Sequence, residues 1–205
     1  MNNHALVRQA IQDLKAGKII VVMDEENREN EGDFVIAAEL TTWQHIHFIS
    51  SVGRGLICTP LTESIATQLA LPFMVNQNTS HHQTAFAISV DGAQTTTGIS
   101  DIERSMTIQA LANPTSKPKD FKRPGHIFPL IAKKGGLKER EGHTEAAVDL
   151  MLLAGLKPVA VICEILSDDG KMARKQQLKK ISEKHHLTMI EIKDIIAFQK
   201  ENHHG

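Results

Sequence analysis

The chain has 205 residues, 41% of them apolar and 23% charged, with 23 basic against 24 acidic side chains and a formal net charge of −1. Such a chain can bury a full core without staples, and its near-neutral balance leaves no global field to hold nucleic acid or an anionic membrane. No apolar run reaches the roughly 18–20 residues of a membrane helix, the N-terminus lacks a basic-then-apolar leader, and Cys58 and Cys163 stand too far apart for a zinc knuckle, so a cytoplasmic protein with reduced thiols is expected.

In chain order, Val7, Ala10, Ile11 and Leu14 recur at helical spacing and Gly17 is placed to end that helix. Ile19 to Met23 reads as a buried strand and Phe34 to Ala38 as a second, joined by the highly charged connection Asp24 to Asp33. Thr41 or Thr42 can cap a helix ending near Gly53. Gly55 to Thr59 has the look of a strand, and Thr62 opens a short helix bearing Ile65 and Leu69. Thr84 to Val90 suggests a further strand. Ser100 and Glu103 have capping-box spacing, with Ile102, Met106 and Leu111 fitting a helix to Ala112.

Residues Asn113 to Pro129 carry four prolines and little periodicity, which predicts an extended, ordered loop. Thr144 is placed to cap an apolar helix, Glu145 to Ala154, ended by Gly155. Val159 to Ile165 reads as a strand, Arg174 to His185 as a basic exposed helix, Leu187 to Ile192 as a strand, and Ile192 to Lys200 as a final helix. His203 and His204 fall in a polar end and receive no role. The alternation predicts an α/β fold, a single domain with helices packed on a largely buried sheet.

Chemistry concentrates in four segments. Asp24 to Asp33 holds six carboxylates and one arginine in ten residues directly after a buried strand. If it is extended, Glu29, Glu31 and Asp33 point to one side as a hard-oxygen site for Mg²⁺; a solvated acidic loop fits the charge density equally well. Arg140-Glu141-Gly142-His143-Thr144-Glu145 precedes an apolar helix whose N-terminus can receive a phosphate, with Arg140 assisting and His143 free to ligate a metal. Arg123-Pro124-Gly125-His126 can hold an imidazole in one orientation for proton transfer. Glu164 ends a β-branched strand beside Cys163, where a carboxylate needs a partner or a task. Cys58 reads as a small buried hydrophobe.

Together these segments, with Asn78-Thr79-Ser80, Thr96-Thr97-Gly98-Ile99-Ser100 and Asp168-Asp169-Gly170-Lys171-Met172-Ala173 in the same order, resemble the 3,4-dihydroxy-2-butanone 4-phosphate synthases of riboflavin biosynthesis. Arg-Glu-Asn-Glu-Gly-Asp at 28–33 is the most specific part. The resemblance implies a three-layer sandwich with a mixed β-sheet covered by helices, and a lyase that turns ribulose 5-phosphate into formate and 3,4-dihydroxy-2-butanone 4-phosphate. It further implies Mg²⁺ or Mn²⁺, two ions per site, no organic cofactor, and a homodimer.

Carried over by position, the resemblance implies that Glu29 and His143 hold the metal. Arg28, Glu29, Asp33, Arg140, Glu141, Gly142, His143, Thr144 and Glu164 would contact substrate, and His126 and Glu164 match positions essential to turnover. The reaction requires loss of a carbon-bound proton, loss of water, a 1,2-skeletal shift and release of one carbon as formate. Each step moves protons or spreads negative charge on oxygen, which suits Asp33 and Glu164 as proton-transfer groups with His126 placing or relaying protons.

His81-His82-Gln83 and Glu103 depart from the family pattern, where a Tyr-Gly type of pair and an Asp are usual. The family also occurs fused to a GTP cyclohydrolase II; the expectation here is one synthase domain over 1–205 without it. Two rivals are a Mg²⁺-dependent sugar-phosphate aldolase or isomerase and a non-catalytic phosphate- or RNA-binding module. The first produces no formate, and the second is disfavoured by the excess of acids at the proposed site.

Overall fold

A computed structural model describes residues 3–202. His203 and His204 lie outside the described residues. The chain runs α1 (Asn3–Lys15), β1 (Ile20–Met23), β2 (Gly32–Ala37), α2 (Trp43–Phe48), β3 (Cys58–Thr62), α3 (Glu63–Gln68), β4 (Val90–Gly92), α4 (Asp101–Ala112), β5 (Phe121–Ala132), α5 (His143–Leu153), β6 (Ala160–Glu164), α6 (Lys175–His185), β7 (Met189–Glu191) and α7 (Ile192–Asn202). The strands form one seven-stranded sheet ordered β4-β5-β3-β6-β2-β1-β7. It is mixed: β1 with β7 and β3 with β5 are parallel, while β2 pairs antiparallel with both β1 and β6.

Both faces are covered, because successive strand residues point to opposite sides and both sets are apolar. Val22, Val35, Ala37 and Ile162 on one face meet Leu14 of α1, Ala146 and Leu150 of α5, and Ile195 of α7. Val21, Phe34, Ile36 and Val161 on the other meet Ile46 of α2, Ala66 of α3, Ile108 of α4 and Leu178 of α6. The three-layer sandwich with a mixed, helix-covered sheet is therefore present. Truncating a fully buried side chain such as Leu14 to alanine should cost about 2–5 kcal/mol. Among the described residues no helix is long and apolar enough to cross a membrane.

The first helix ends as its sequence predicts, with Gly17 at φ +71 where a left-handed residue is needed. Thr42 caps α2 reciprocally with His45, and the chain continues through a wider turn to Gly53. Ser100 caps α4 by accepting from the Glu103 N–H at 3.2 Å. Of the residues expected to define α4, Leu111 is buried, whereas Ile102 and Met106 face outward.

Four expectations are corrected. The third strand begins at Cys58 rather than Gly55, since the Leu56 N–H turns aside to the Glu164 carboxylate. Thr84 to Val90 is no regular strand: only Phe86 and Ala87 form isolated bridges before β4 starts at Val90. Ala87 N–H donates to Pro129 C=O and Ile131 N–H to Ala85 C=O, each at 2.9 Å, but Pro129 has no N–H to give the Ala87 C=O, so the ladder stops there.

The proline-rich stretch is a loop only in its first part, residues 113–120 with Pro114 and Pro118; from Phe121 onward it is a strand. Phe121 to Ala132 is the longest strand, its exposure alternating at first and its second half paired in parallel with β3. Pro124 falls in the register shift against β4, between Lys122 and Ile127, and Pro129 lies opposite Ala87 of the irregular segment, positions a strand tolerates. Finally, Gly142 rather than Thr144 is the N-cap of α5, and Thr144 is the helix's second residue. A Cβ at 142 would meet the Arg140 guanidinium and displace it.

Candidate active site

The site forms where β2 begins and β6 ends. Antiparallel pairing sets Asp33 directly opposite Glu164, on the face that carries α5. Like charges placed so repel, and burial adds to the effect: Asp33 is 4% exposed. Burial first, then the Glu164 and Glu29 charges, raise its carboxyl to about 7 against the pull of His143. Glu164 accepts the Leu56 N–H at 2.8 Å, and Gly55 lets the backbone pass so close that a Cβ there would lie 2.6 Å from the same oxygen.

The acidic connection is not extended. It folds over Asp24, which is buried and accepts from Arg28 Nη1 at 2.8 Å, from Glu29 N–H at 3.0 Å and from Glu31 N–H at 2.8 Å. Asp24 thus turns the loop inward, an arrangement that alternation along a strand could not reveal. Glu29, Glu31 and Asp33 still reach one cleft of about 480 Å³, which also receives Arg28, Arg140, His143, Thr144 and Glu164 and is floored by Cys58, Leu130 and Ile162.

His143 opens α5 and is buried, with Nδ1 3.6 Å from Glu29 Oε2. Burial alone would depress its imidazolium, but Asp33, Glu29 and Asp24 reverse that and raise it to about 9. The same imidazole, with Arg28, holds the Glu29 carboxyl down at about 2 despite partial burial. His143 Nε2 is buried without a hydrogen-bond partner, and ligand atoms of Asp24, Glu29 and His143 all lie within 4.8 Å of one another. An orphaned imidazole nitrogen beside carboxylates fits a divalent cation, which would satisfy it. The two oxygens of Asp24 are already engaged by the loop, so Glu29 and His143 are the residues suited to hold an ion.

Arg140 is committed within the protein. Nη1 donates to Glu145 at 2.6 Å, and Nη2 to His82 C=O and Thr84 Oγ1 at 3.2 Å each. Glu145, itself buried, also accepts the Lys133 N–H. This pairing ties the start of α5 to the loop before β4, where Asn78 accepts from Ser80 and donates to Thr84 C=O. Cys58 belongs to the cleft wall, and burial together with Glu164 and Asp33 pushes its thiol well up, so it stays protonated.

Three expected contacts lie elsewhere. Glu141 is exposed and faces a neighbouring cleft with Asp24, Glu25 and Arg28, and Gly142 gives its N–H to Arg140 C=O at 2.9 Å. His126 does not line the cleft. It is half-exposed, accepts or donates at Nδ1 to Asp91 at 2.8 Å, and donates its N–H to the same carboxylate. On β5 it stands four residues before Leu130, roughly 13 Å along the strand. Gly98 packs against Asp91, and the loop around it gathers the Thr96 and Gly98 N–H groups on the exposed Glu103 carboxylate, which those bonds hold at about 2.

Sequence reasoning missed Asp24 and Glu145 as organisers. Both lie inside segments it singled out, but their inward direction depends on the fold.

Fold and site together define a three-layer α/β protein with an acidic cleft, suited to a divalent cation, at one end of its sheet. Residues 8–198 match the family model for 3,4-dihydroxy-2-butanone 4-phosphate synthase, and the chain belongs to that family. It is 54% identical over 198 residues to the riboflavin biosynthesis protein RibBA of Bacillus mycoides (strain KBAB4), covering 97% of this chain and 49% of that protein. RibBA of Bacillus velezensis is 55% identical over 193 residues, covering 94% and 48% respectively. The chain spans about half the length of the curated relatives it matches.

Among solved structures, a 3,4-dihydroxy-2-butanone 4-phosphate synthase in complex with two magnesium ions superposes with TM-score 0.91 at 41% identity, covering 95% of this chain and 96% of that one. The two-domain synthase RibBX of A. baumannii superposes with TM-score 0.92 at 46% identity, covering 94% and 57%.

Proposed function

We propose that this protein converts D-ribulose 5-phosphate to formate and L-3,4-dihydroxy-2-butanone 4-phosphate, the reaction for which its family is named. The carrying observation is the Asp33–Glu164 pair, two carboxylates held face to face beside His143 and Glu29 in one cleft. Glu29 and His143 hold Mg²⁺ or Mn²⁺ in this reading, and two ions per site accord with the magnesium complex of the similar synthase. The bound cation supplies stabilisation of negative charge on the sugar oxygens.

The chain's own groups supply the rest. Asp33, its carboxyl raised to about 7, exchanges protons near neutrality, where a general acid–base group is most effective. Glu164, steadied by the Leu56 N–H, is its counterpart on the adjacent strand, facing the substrate from the same side. The phosphate docks at the N-terminus of α5, where Gly142, His143 and Thr144 present backbone, with Arg28 and Arg140 at its margin. Water lost on dehydration returns when the one-carbon unit leaves as formate, so product and formate together contain the atoms of the substrate.

The reading includes a homodimer and a cytoplasmic setting without organic cofactor, nucleic-acid or membrane partner. Ile99, Ile102 and Met106 form an exposed apolar strip on and before α4. Through Gly98 that strip adjoins the Asp91–His126 pair. A dimer built on it keeps His126 in the chemistry by bringing it to a twofold interface rather than to its own chain's cleft.

Formate release decides the matter. Purified protein with ribulose 5-phosphate and Mg²⁺ should yield formate, and chelator should abolish it. Absence of formate in both arms refutes the reading, and sugar rearrangement without formate would indicate an aldolase or isomerase. Full turnover by Glu29→Gln at limiting Mg²⁺ would remove the metal assignment.

A further inference from the structure

We propose that Arg174 and Asp24 are positioning residues which clamp the backbone of Glu29 from opposite sides and so fix the carboxylate that holds the divalent cation. The inference rests on the reading of Glu29 as a metal ligand.

Glu29 sits in a connection crowded with carboxylates, whose mutual repulsion would splay the loop. Its peptide groups are instead held at both ends by side chains. The Glu29 N–H donates to Asp24 Oδ2 at 3.0 Å, and its C=O accepts from Arg174 Nη1 at 2.8 Å. The next carbonyl, Asn30, accepts from the same nitrogen at 2.5 Å. Asn30 adopts φ +56, a left-handed turn that asparagine tolerates. Glu31 Oε1 lies 3.9 Å from that guanidinium nitrogen, so one cation serves two carbonyls and a carboxylate.

Both jaws have firm bases. Asp24 follows β1 directly, is 1% exposed, and bonds its own N–H to Glu31 C=O at 3.2 Å. Arg174 is the N-cap of α6 and gives its backbone N–H to Gln177 Oε1 at 2.9 Å. That helix is docked by Leu178, fully buried against the loop's exit at Gly32, where an added Cβ would lie 2.5 Å from Leu178 Cδ1. Arg174 therefore carries the position of α6 to the metal-ligand loop. Its side chain is half exposed, and exposed ion pairs contribute little to global stability, so a positional role can be separated from a folding role.

The test uses the full chain without substrate, with Mn²⁺ as the probe and free Mn²⁺ read by electron paramagnetic resonance. Arg174→Gln should weaken Mn²⁺ binding about tenfold or more, as a misplaced ligand does. Arg174→Lys, a single-point donor in place of a planar fork, should fall between. The metal-free unfolding midpoint of Arg174→Gln should stay close to wild type. In turnover, the Mg²⁺ concentration for half-maximal rate should rise by a larger factor than kcat falls. Asp24→Asn, which keeps one acceptor oxygen, should weaken Mn²⁺ binding as well.

Wild-type Mn²⁺ affinity in Arg174→Gln would overturn the clamp, as would a loss of affinity matched by an equal loss of stability in both Arg174 variants. If Glu29→Gln itself bound Mn²⁺ like wild type, the metal reading would fail and take the clamp with it, an outcome distinguishable because it does not involve Arg174.

Discussion

Replacing Asp33 by asparagine should stabilise the metal-free protein at alkaline pH while removing its activity. The folded carboxyl keeps its proton to about pH 7, whereas the unfolded one releases it near its ordinary 3.8. Between these values the folded state holds the extra proton, so stability contributed by this site declines as pH rises through the window and stays low above it. At 1.36 kcal/mol per unit, the ionised, buried carboxylate costs roughly 4 kcal/mol above pH 7, a figure already net of its attraction to His143.

An asparagine of the same shape removes that charge but buries an amide with incomplete partners, which offsets about 1–3 kcal/mol. A net gain of about 1–3 kcal/mol remains at pH 8. For a chain of this size that is a rise in Tm of roughly 2–4 °C per kcal/mol. Near pH 4 the gain should vanish, leaving only the amide's cost. Calorimetric scans of metal-free wild type and Asp33→Asn from pH 4 to 9, with formate assays alongside, measure both effects. A pH-independent difference, or a destabilised variant at pH 8, would refute the placement of Asp33 as a charge buried opposite Glu164.

Mg²⁺ affinity should climb as pH rises from about 6.5 towards 9, because the ion displaces the proton that His143 holds up to about 9. Calorimetry in buffers of different ionisation enthalpy should register proton release on binding, and a flat profile would exclude His143 as a ligand. The stability that protonated His143 lends the metal-free fold is complete below its ordinary 6.5 and is lost as pH passes about 9. Gly55→Ala sets a Cβ 2.5 Å from Glu164 C=O and 2.6 Å from its carboxylate; displacing that group by about 1 Å should lower kcat on the order of a hundredfold. Unchanged kcat in Gly55→Ala would mean that Glu164 has no fixed role. Ile102→Glu places a charge on the strip proposed to join two copies, so sedimentation should show monomers with an intact fold and reduced formate output. Dimers persisting in that variant would move the interface elsewhere.

Much of the local structure was legible because it follows from local rules. The period of Val7, Ala10, Ile11 and Leu14, the glycine stops and the Thr42 and Ser100 caps depend on neighbours a few residues away, and each appears as expected. Apart from the cap of α5, which is Gly142 and not Thr144, the errors fall where contact with a distant strand decides. Phe121 to Ala132 is a strand despite its prolines because β3 and β4 flank it, and Thr84 to Val90 is irregular because Pro129 opposite cannot donate. Arg28, Glu29, Asp33, Arg140, His143, Thr144 and Glu164 were named from sequence and do line one cleft, while Glu141, Gly142 and His126 do not.

By itself the sequence determined the residue chemistry: six carboxylates within ten residues, an imidazole at the start of an apolar helix, and a family signature dense enough to name. Only the tertiary structure decided what those groups face. Register between β2 and β6 set Asp33 against Glu164, and the inward turn of Asp24 removed one acid from the cleft and made it the loop's anchor. The physical reason is that hydrophobic period and capping are local quantities, whereas the ionisation of a carboxyl depends on burial and on charges brought near by folding.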